Sequence, residues 1–236
     1  MLLVISFVVL ISAVSIFGSL YVRKYNKSDA LIGIYVASVL MSNILAYKIA
    51  SYDLGFIISF ATAATIIFSI TYLLTDIVNE RFGRAETIKM IWIAFLSQAA
   101  ATIFILSAVA LPSAPFWTDQ EAYARILGSA PRIILASLFT FLIVESLDAY
   151  IFAWFKNLTN GKHLWMRSVF STIPAMSLDT VIFVTLAFSG VQPIIPIMTG
   201  MILVKYLVGV VDIPFMYLNR WIMGKAVSSP NVLNGQ

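Results

Sequence analysis

An all-α polytopic membrane protein is the fold class this sequence predicts, and three observations predict it. Hydrophobic residues make up 61% of the 236 residues and charged residues only 11%, an apolar share beyond what one water-facing globule can bury. The apolar residues gather into runs long enough to cross the ~30 Å of a bilayer's hydrocarbon as helices. Lys and Arg gather in alternate breaks between those runs, as cytoplasmic loops require.

In chain order, residues 2–22 form the first predicted span; with no basic segment before it and no small-x-small cleavage signal, it is kept as a helix rather than a cleaved leader. Residues 30–50 form the second span, ending in the polar residues Ser42, Asn43 and Lys48, and the short loop SYDLG leads to a third at 56–78, rich in Ala and Thr as packed membrane helices are. Residues 87–111 form the fourth. The long connection 112–130 carries Pro112, Pro115, Trp117 and Tyr123, and reads as an interfacial segment holding a short helix, a candidate lid. Spans five to seven cover 132–155, 167–190 and 194–222, the last long enough to tilt or to bend at Pro214. Residues 1–225 are thus read as one transmembrane domain and 226–236 as a disordered tail.

The charge count tests this seven-helix bundle. Arg23, Lys24 and Lys27, then Arg81, Arg84 and Lys89, then Lys156, Lys162 and Arg167, then Arg220 and Lys225 fall on one side, whereas the other has Arg125 and Arg132. The N-terminus is therefore expected outside and the C-terminus in the cytoplasm, in a multi-pass protein of the cytoplasmic (inner) membrane.

The composition also excludes chemistry. With no Cys there is no disulfide, thiolate site or thiol nucleophile, and a single His argues against zinc. The net charge of +4 is scattered between apolar spans and forms no nucleic-acid face. No metal, cofactor or nucleic-acid partner is expected.

Once loop charges are set aside, Lys48, Asp76, Glu145, Asp148, Asp179, Lys205 and Asp212 remain inside predicted spans. Asp179 lies about 17 Å from either end of its span, where a lipid-facing carboxylate costs at least a few kcal/mol and is normally turned to a cavity or a partner. If the next helix begins near Ile194, Lys205 lies at the same depth, so antiparallel neighbours would bring the two charges together, as a ligand site or as a purely structural ion pair. Pro174 would kink the Asp179 helix one turn earlier. Glu145 and Asp148, at i and i+3, share one helix face roughly 20 to 25 Å from the outer end. Read structurally, that pair would only anchor helices through Lys156 or Arg167. Asp76 and Glu80 suit a solvated helix end as well as a binding role, Lys48 suits a snorkelling end and Asp212 a structural role with Arg220. Ser42, Asn43, Gln98, Ser171 and Thr180 add hydrogen-bonding groups, and Tyr72, Trp92 and Phe183 could offer aromatic faces to a planar ligand.

These residues together resemble a known family. Ser42-Asn43 with Lys48, TYLLTDIVNERFGR at 71–84, Arg132 with Ala136-Ser137 and Asp148, STIPAMSLDTVIFVTLAFSG at 171–190, and Lys205 with Pro214 are similar to the queuosine precursor transporters, also described as the vitamin uptake transporter family. The most specific pieces are Thr75, Asp76, Glu80 and Gly83 in one motif and Asp179, Thr180, Phe183, Ala187 and Phe188 in the other. The resemblance implies uptake of a 7-deazaguanine such as preQ0 or preQ1 for a modified tRNA base, by alternating access. It also implies a six-helix core, so that residues 2–22 would be an addition. Such a cargo fits the residues: its N1–H and 2-amino donors suit a carboxylate, Asp179 or Glu145, its carbonyl oxygen suits Asn43 or Lys205, and its flat ring suits an aromatic face. The substrate-binding set expected is Asn43, Asp76, Glu145, Asp148, Asp179, Thr180 and Lys205. Proton coupling through the buried carboxylates and homo-oligomerisation stay open.

Two other classes compete with a transporter. An intramembrane enzyme could use paired carboxylates as acid and base, but the chain has no Gly-x-Gly-Asp and no Gly-x-Ser-Gly with a spanning His, since His163 lies in a loop. A substrate-binding subunit of an energy-coupling ATPase complex would suit the small size; with no Gly-Lys-Ser/Thr phosphate loop, it would borrow its ATP hydrolysis.

Overall fold

The computed structural model describes residues 2–53, 55, 57–128, 131–160 and 164–224. It is mostly helical. In order come α1 (Leu2–Tyr25), α2 (Asp29–Leu45), β1 (Ile49–Asp53), β2 (Ile58–Thr62), α3 (Thr65–Phe82), α4 (Arg84–Ala110), α5 (Gln120–Tyr123), α6 (Pro131–Leu158), α7 (Leu164–Phe188) and α8 (Ile194–Met223). The expected tail at 226–236, the loop residue His163 and the side chain of Arg167 lie outside the described residues.

Among the described residues, four helices are long and apolar enough to cross a membrane: α4, α8 and most of α6 and of α7. Their outward faces explain why. Phe104 is 75% exposed, Ile103 65% and Leu135 65%, and so much exposed apolar surface is stable only against lipid. The helix α2, with 17 residues, is the shorter apolar one. The protein is thus a multi-pass, mainly helical membrane protein.

One expectation is corrected here. The second and third spans, read as helical to Ala50 and from Phe56, give way to an antiparallel hairpin in which Ile49 pairs with Thr62 and Asp53 with Ile58, one two-stranded insertion in a chain that is otherwise helical. The local sequence explains the change. Ile49, Tyr52, Ile58, Phe60 and Thr62 are β-branched or aromatic, and residues 58–61 alternate exposed and buried, with a period of two. The strands satisfy each other's backbone, the Ala63 amide donates to the Lys48 carbonyl at 2.8 Å and the Tyr52 hydroxyl to the Thr62 carbonyl at 2.9 Å. This leaves fewer orphan polar groups for the apolar surroundings. The hairpin docks on α8, where Gly200 faces the Phe60 backbone so closely that a Cβ would overlap its carbonyl.

Packing joins α6 to α7 and α7 to α8, with α1, α3 and the hairpin also against α8. One apolar core runs through Tyr35, Ile70, Leu74, Ile77, Phe141 and Phe152; a second, at the hairpin, gathers Tyr52, Ala61, Phe183, Val184 and Met201. At the end where Arg23, Lys24 and Arg81 lie, Lys156 donates to the Glu80 carbonyl at 2.6 Å and pairs with its carboxylate at 3.4 Å, while Arg220 stands 3.8 Å from the other Glu80 oxygen. At the opposite end of α6, Arg132 donates to the carbonyls of Leu186 and Ser189 at 2.6 and 2.7 Å, closing the C-terminus of α7. The connection after α4 holds the short α5 and a π turn at Ala124–Gly128, tied back by the Gln120 amide on the Val109 carbonyl at 3.0 Å.

The helices α3 and α4 are joined by Gly83 alone, at φ 85°. A side chain there meets no neighbour, so the constraint is the left-handed backbone. Gly83→Ala should lower stability by about 1–2 kcal/mol, read as an earlier thermal unfolding of the detergent-solubilised protein. Gly200→Val should cost more, because the Phe60 backbone has to move, and it should free the hairpin for cleavage by added protease.

Candidate functional site

The break between α2 and α3 opens a pocket of about 420 Å³, its mouth included, at the level of Asp179 and Lys205. Five parts of the fold meet around it. The end of α2 brings Ser42 and Asn43; the hairpin and the start of α3 bring Thr62, Thr65 and Phe68; α6 brings Ser137; α7 brings Asp179 and Phe183; and α8 brings Met201 and Lys205.

The floor is an ion pair. Lys205 donates to Asp179 Oδ2, with the two side chains 1% and 7% exposed. The Lys205 ammonium also lies 5.5 Å from the centroid of the Phe68 ring, within cation–π reach. The register of α7 on α8 that aligns the pair is held nearby, where the Ser177 and Tyr206 hydroxyls are 2.6 Å apart. Above the floor the walls are neutral and polar. Ser137 donates to Asn43 Oδ1 at 2.8 Å and receives the Gln98 amide at 3.3 Å, the Asn43 amide donates to the Val39 carbonyl at 3.1 Å, and the Thr62 and Thr65 hydroxyls are 3.1 Å apart. Phe68 and Phe183 supply the aromatic surface. One compact charge pair, amide and hydroxyl dipoles and two rings make a site suited to a small polar heterocycle.

The other expected site residues stand apart from this pocket. Glu145 is buried and accepts from Tyr35 at 3.1 Å and Thr71 at 3.3 Å. Asp148 is also buried, faced by the Ser171 and Thr172 hydroxyls but without a well-formed hydrogen bond. Asp76 accepts from Thr172 at 3.4 Å and lines a smaller cavity with Asp212. Thr180 is buried and turned back onto the Met176 carbonyl at 2.8 Å. Trp92 is an exposed outer face, and Tyr72 a buried ring away from the pocket wall. Lys156 serves Glu80, not the Glu145/Asp148 pair.

Six lining residues, Ala46, Thr62, Ala64, Thr65, Phe68 and Met201, are not among those the sequence singles out. The available signal was Ala61-Thr62-Ala63-Ala64-Thr65, a run of small residues with two hydroxyls that ends one turn before Phe68.

A family model described as "Putative vitamin uptake transporter" matches residues 62–219. That range holds most of the pocket. The chain belongs to this family of transporters. A protein of Bacillus subtilis (strain 168), named "Probable queuosine precursor transporter", is 29% identical over 161 residues, which are 66% of this chain and 70% of that protein. No solved structure matches the chain. Membership in a transporter family accords with a pocket lined by a charge pair and neutral polar groups.

The ion pair sets a clear expectation. Lys205→Ala strands Asp179 as an uncompensated buried charge and should destabilise by about 3–5 kcal/mol. The double variant Asp179→Asn with Lys205→Met should recover most of that loss in the same thermal unfolding assay.

Proposed function

We propose that this protein imports a queuosine precursor, a 7-deazaguanine such as preQ0 or preQ1, across the cytoplasmic (inner) membrane. The observation that carries this reading is the Asp179–Lys205 pair at the floor of a pocket walled by Asn43, Ser137, Phe68 and Phe183. A deazaguanine presents N1–H and an exocyclic amine on one edge beside a carbonyl oxygen. The carboxylate of Asp179 accepts from the two donors while Lys205 turns to the carbonyl, so one flat ligand takes up both charges without parting them far. Phe183 and Phe68 flank the ring, and Asn43 serves its remaining edge. The name of the Bacillus relative supports the cargo.

The seven long helices are read as seven crossings, with the N-terminus outside and the basic end, marked by Arg81, Lys156 and Arg220, in the cytoplasm. A single transporter domain reaches to about residue 225. The pocket then opens toward the hairpin, and alternating access follows from rocking of helix groups around a fixed midplane site. No enzymatic step is assigned.

The test is a ligand-dependent melting shift of the purified protein across preQ0, preQ1, guanine and adenine. The 7-deazaguanines should stabilise it and adenine, lacking the donor edge, should not. Asp179→Asn should weaken binding by about tenfold or more, the scale of losing a charge-assisted hydrogen bond, and Phe183→Ala should weaken it as well. Glu145→Gln, away from the pocket, should leave binding intact. Stabilisation by none of these purines, or unaltered binding by Asp179→Asn, overturns the assignment.

A further inference from the structure

The pocket uses one buried carboxylate, yet α6 holds two more at similar depth. Glu145 and Asp148, 1% and 0% exposed, stand one turn apart on one helix face. Every neighbouring element contributes to their surroundings. From α2 comes the Tyr35 hydroxyl on Glu145, from α3 Thr71 and Tyr72, and from α7 Asp179 with the Ser171 and Thr172 hydroxyls. The helix α4 also packs on α6, but among the described residues it turns no ionisable group to the pair. No cation faces the pair in that set: Lys205 is committed to Asp179 and Lys156 to Glu80. Two ionised carboxylates buried this close are costly, and among the described residues a proton is the counter-charge that remains to them.

We propose that the Glu145/Asp148 pair is a proton-loading site, separate from the substrate pocket, and that its loading and release are coupled to substrate movement. The proposal rests on the transporter reading above. Two routes leave the pair. Toward the pocket stands Tyr72, fully buried, its hydroxyl without a hydrogen-bond partner among the described residues and its ionisable neighbours Asp179, Glu145 and Asp148. Toward the basic end, Ser171 and Thr172 face Asp148, and Thr172 donates to Asp76. A proton enters from water by that second route and bonds to a carboxylate oxygen; release breaks the same O–H bond and returns the proton to water, with no redox change. With one of the two carboxylates ionised, the pair's negative potential reaches Asp179 and favours the positive charge of Lys205. When it is loaded that support disappears, and the ion pair is easier to open for substrate. Such coupling is reciprocal, so substrate binding shifts the pair's proton occupancy.

The experiment uses the full-length protein in proteoliposomes with uncharged preQ0, so that membrane potential does not act on the substrate. The native protein should exchange labelled preQ0 at equal pH and should accumulate it when a proton gradient points inward, with a luminal dye reporting acidification as preQ0 enters. Asp148→Asn and Glu145→Gln should keep exchange and lose both accumulation and acidification, a split that a merely structural role would not produce. Native exchange without gradient-driven accumulation overturns proton loading and leaves the transporter reading standing. Accumulation that persists in both variants overturns the assignment to this pair. Where the variants fail to fold, luminal acidification by the native protein decides by itself: entry without acidification sinks the proposal. No exchange of preQ0 at all removes the substrate reading, and this proposal with it.

Discussion

A lysine fully enclosed in a membrane bundle has to find its counter-charge inside the protein, and here it finds Asp179. That single requirement organises the site. It sets the register of α7 against α8, supported by Ser177 and Tyr206, and it draws the Phe68 ring under the ammonium. It also places fixed, opposite charges where the chain has left room. A buried pair of this kind contributes little net stability over an apolar substitute. In the proposed function the pair offers a ligand two complementary charges at one level, already desolvated.

Room beside the pair comes from a failure of helix formation. Had residues 46–64 continued as helix, α2 and α3 would have packed along their whole length and covered the space between them. The strands instead pull the chain aside, lean on α8 at Gly200 and leave Ser42, Asn43, Thr62 and Thr65 as a polar rim. Ligand sites in membrane proteins favour such places, since irregular backbone is tolerated there only where it lines a cavity or is buried in protein.

Much of this was legible in the sequence, for physical reasons that differ by element. Hydrophobic length located the helices, because a bilayer imposes that length. Asp179 and Lys205 were legible because ionisable residues at mid-span are rare and need each other. Asn43, Ser42 and Phe183 followed from polar or aromatic character near that level. The hairpin was not legible as such: Ile49 to Thr62 is apolar enough to extend either flanking helix, and only the SYDLG interruption marks a change. Thr62, Thr65 and Phe68 were missed with it, since their place on the pocket depends on where α3 begins. Glu145 and Asp148 read as ligand groups by depth alone, but depth does not tell which wall of a helix faces a cavity.

The two ends of α6 are fastened differently from its middle. Arg132 ties one end to the last carbonyls of α7, and Lys156 ties the other to the closing turn of α3. Between these clamps the helix carries Ser137 against the pocket and the two carboxylates behind it. A rod pinned at both tips resists sliding along its neighbours, so the height of each side chain that α6 carries is fixed relative to α3 and α7.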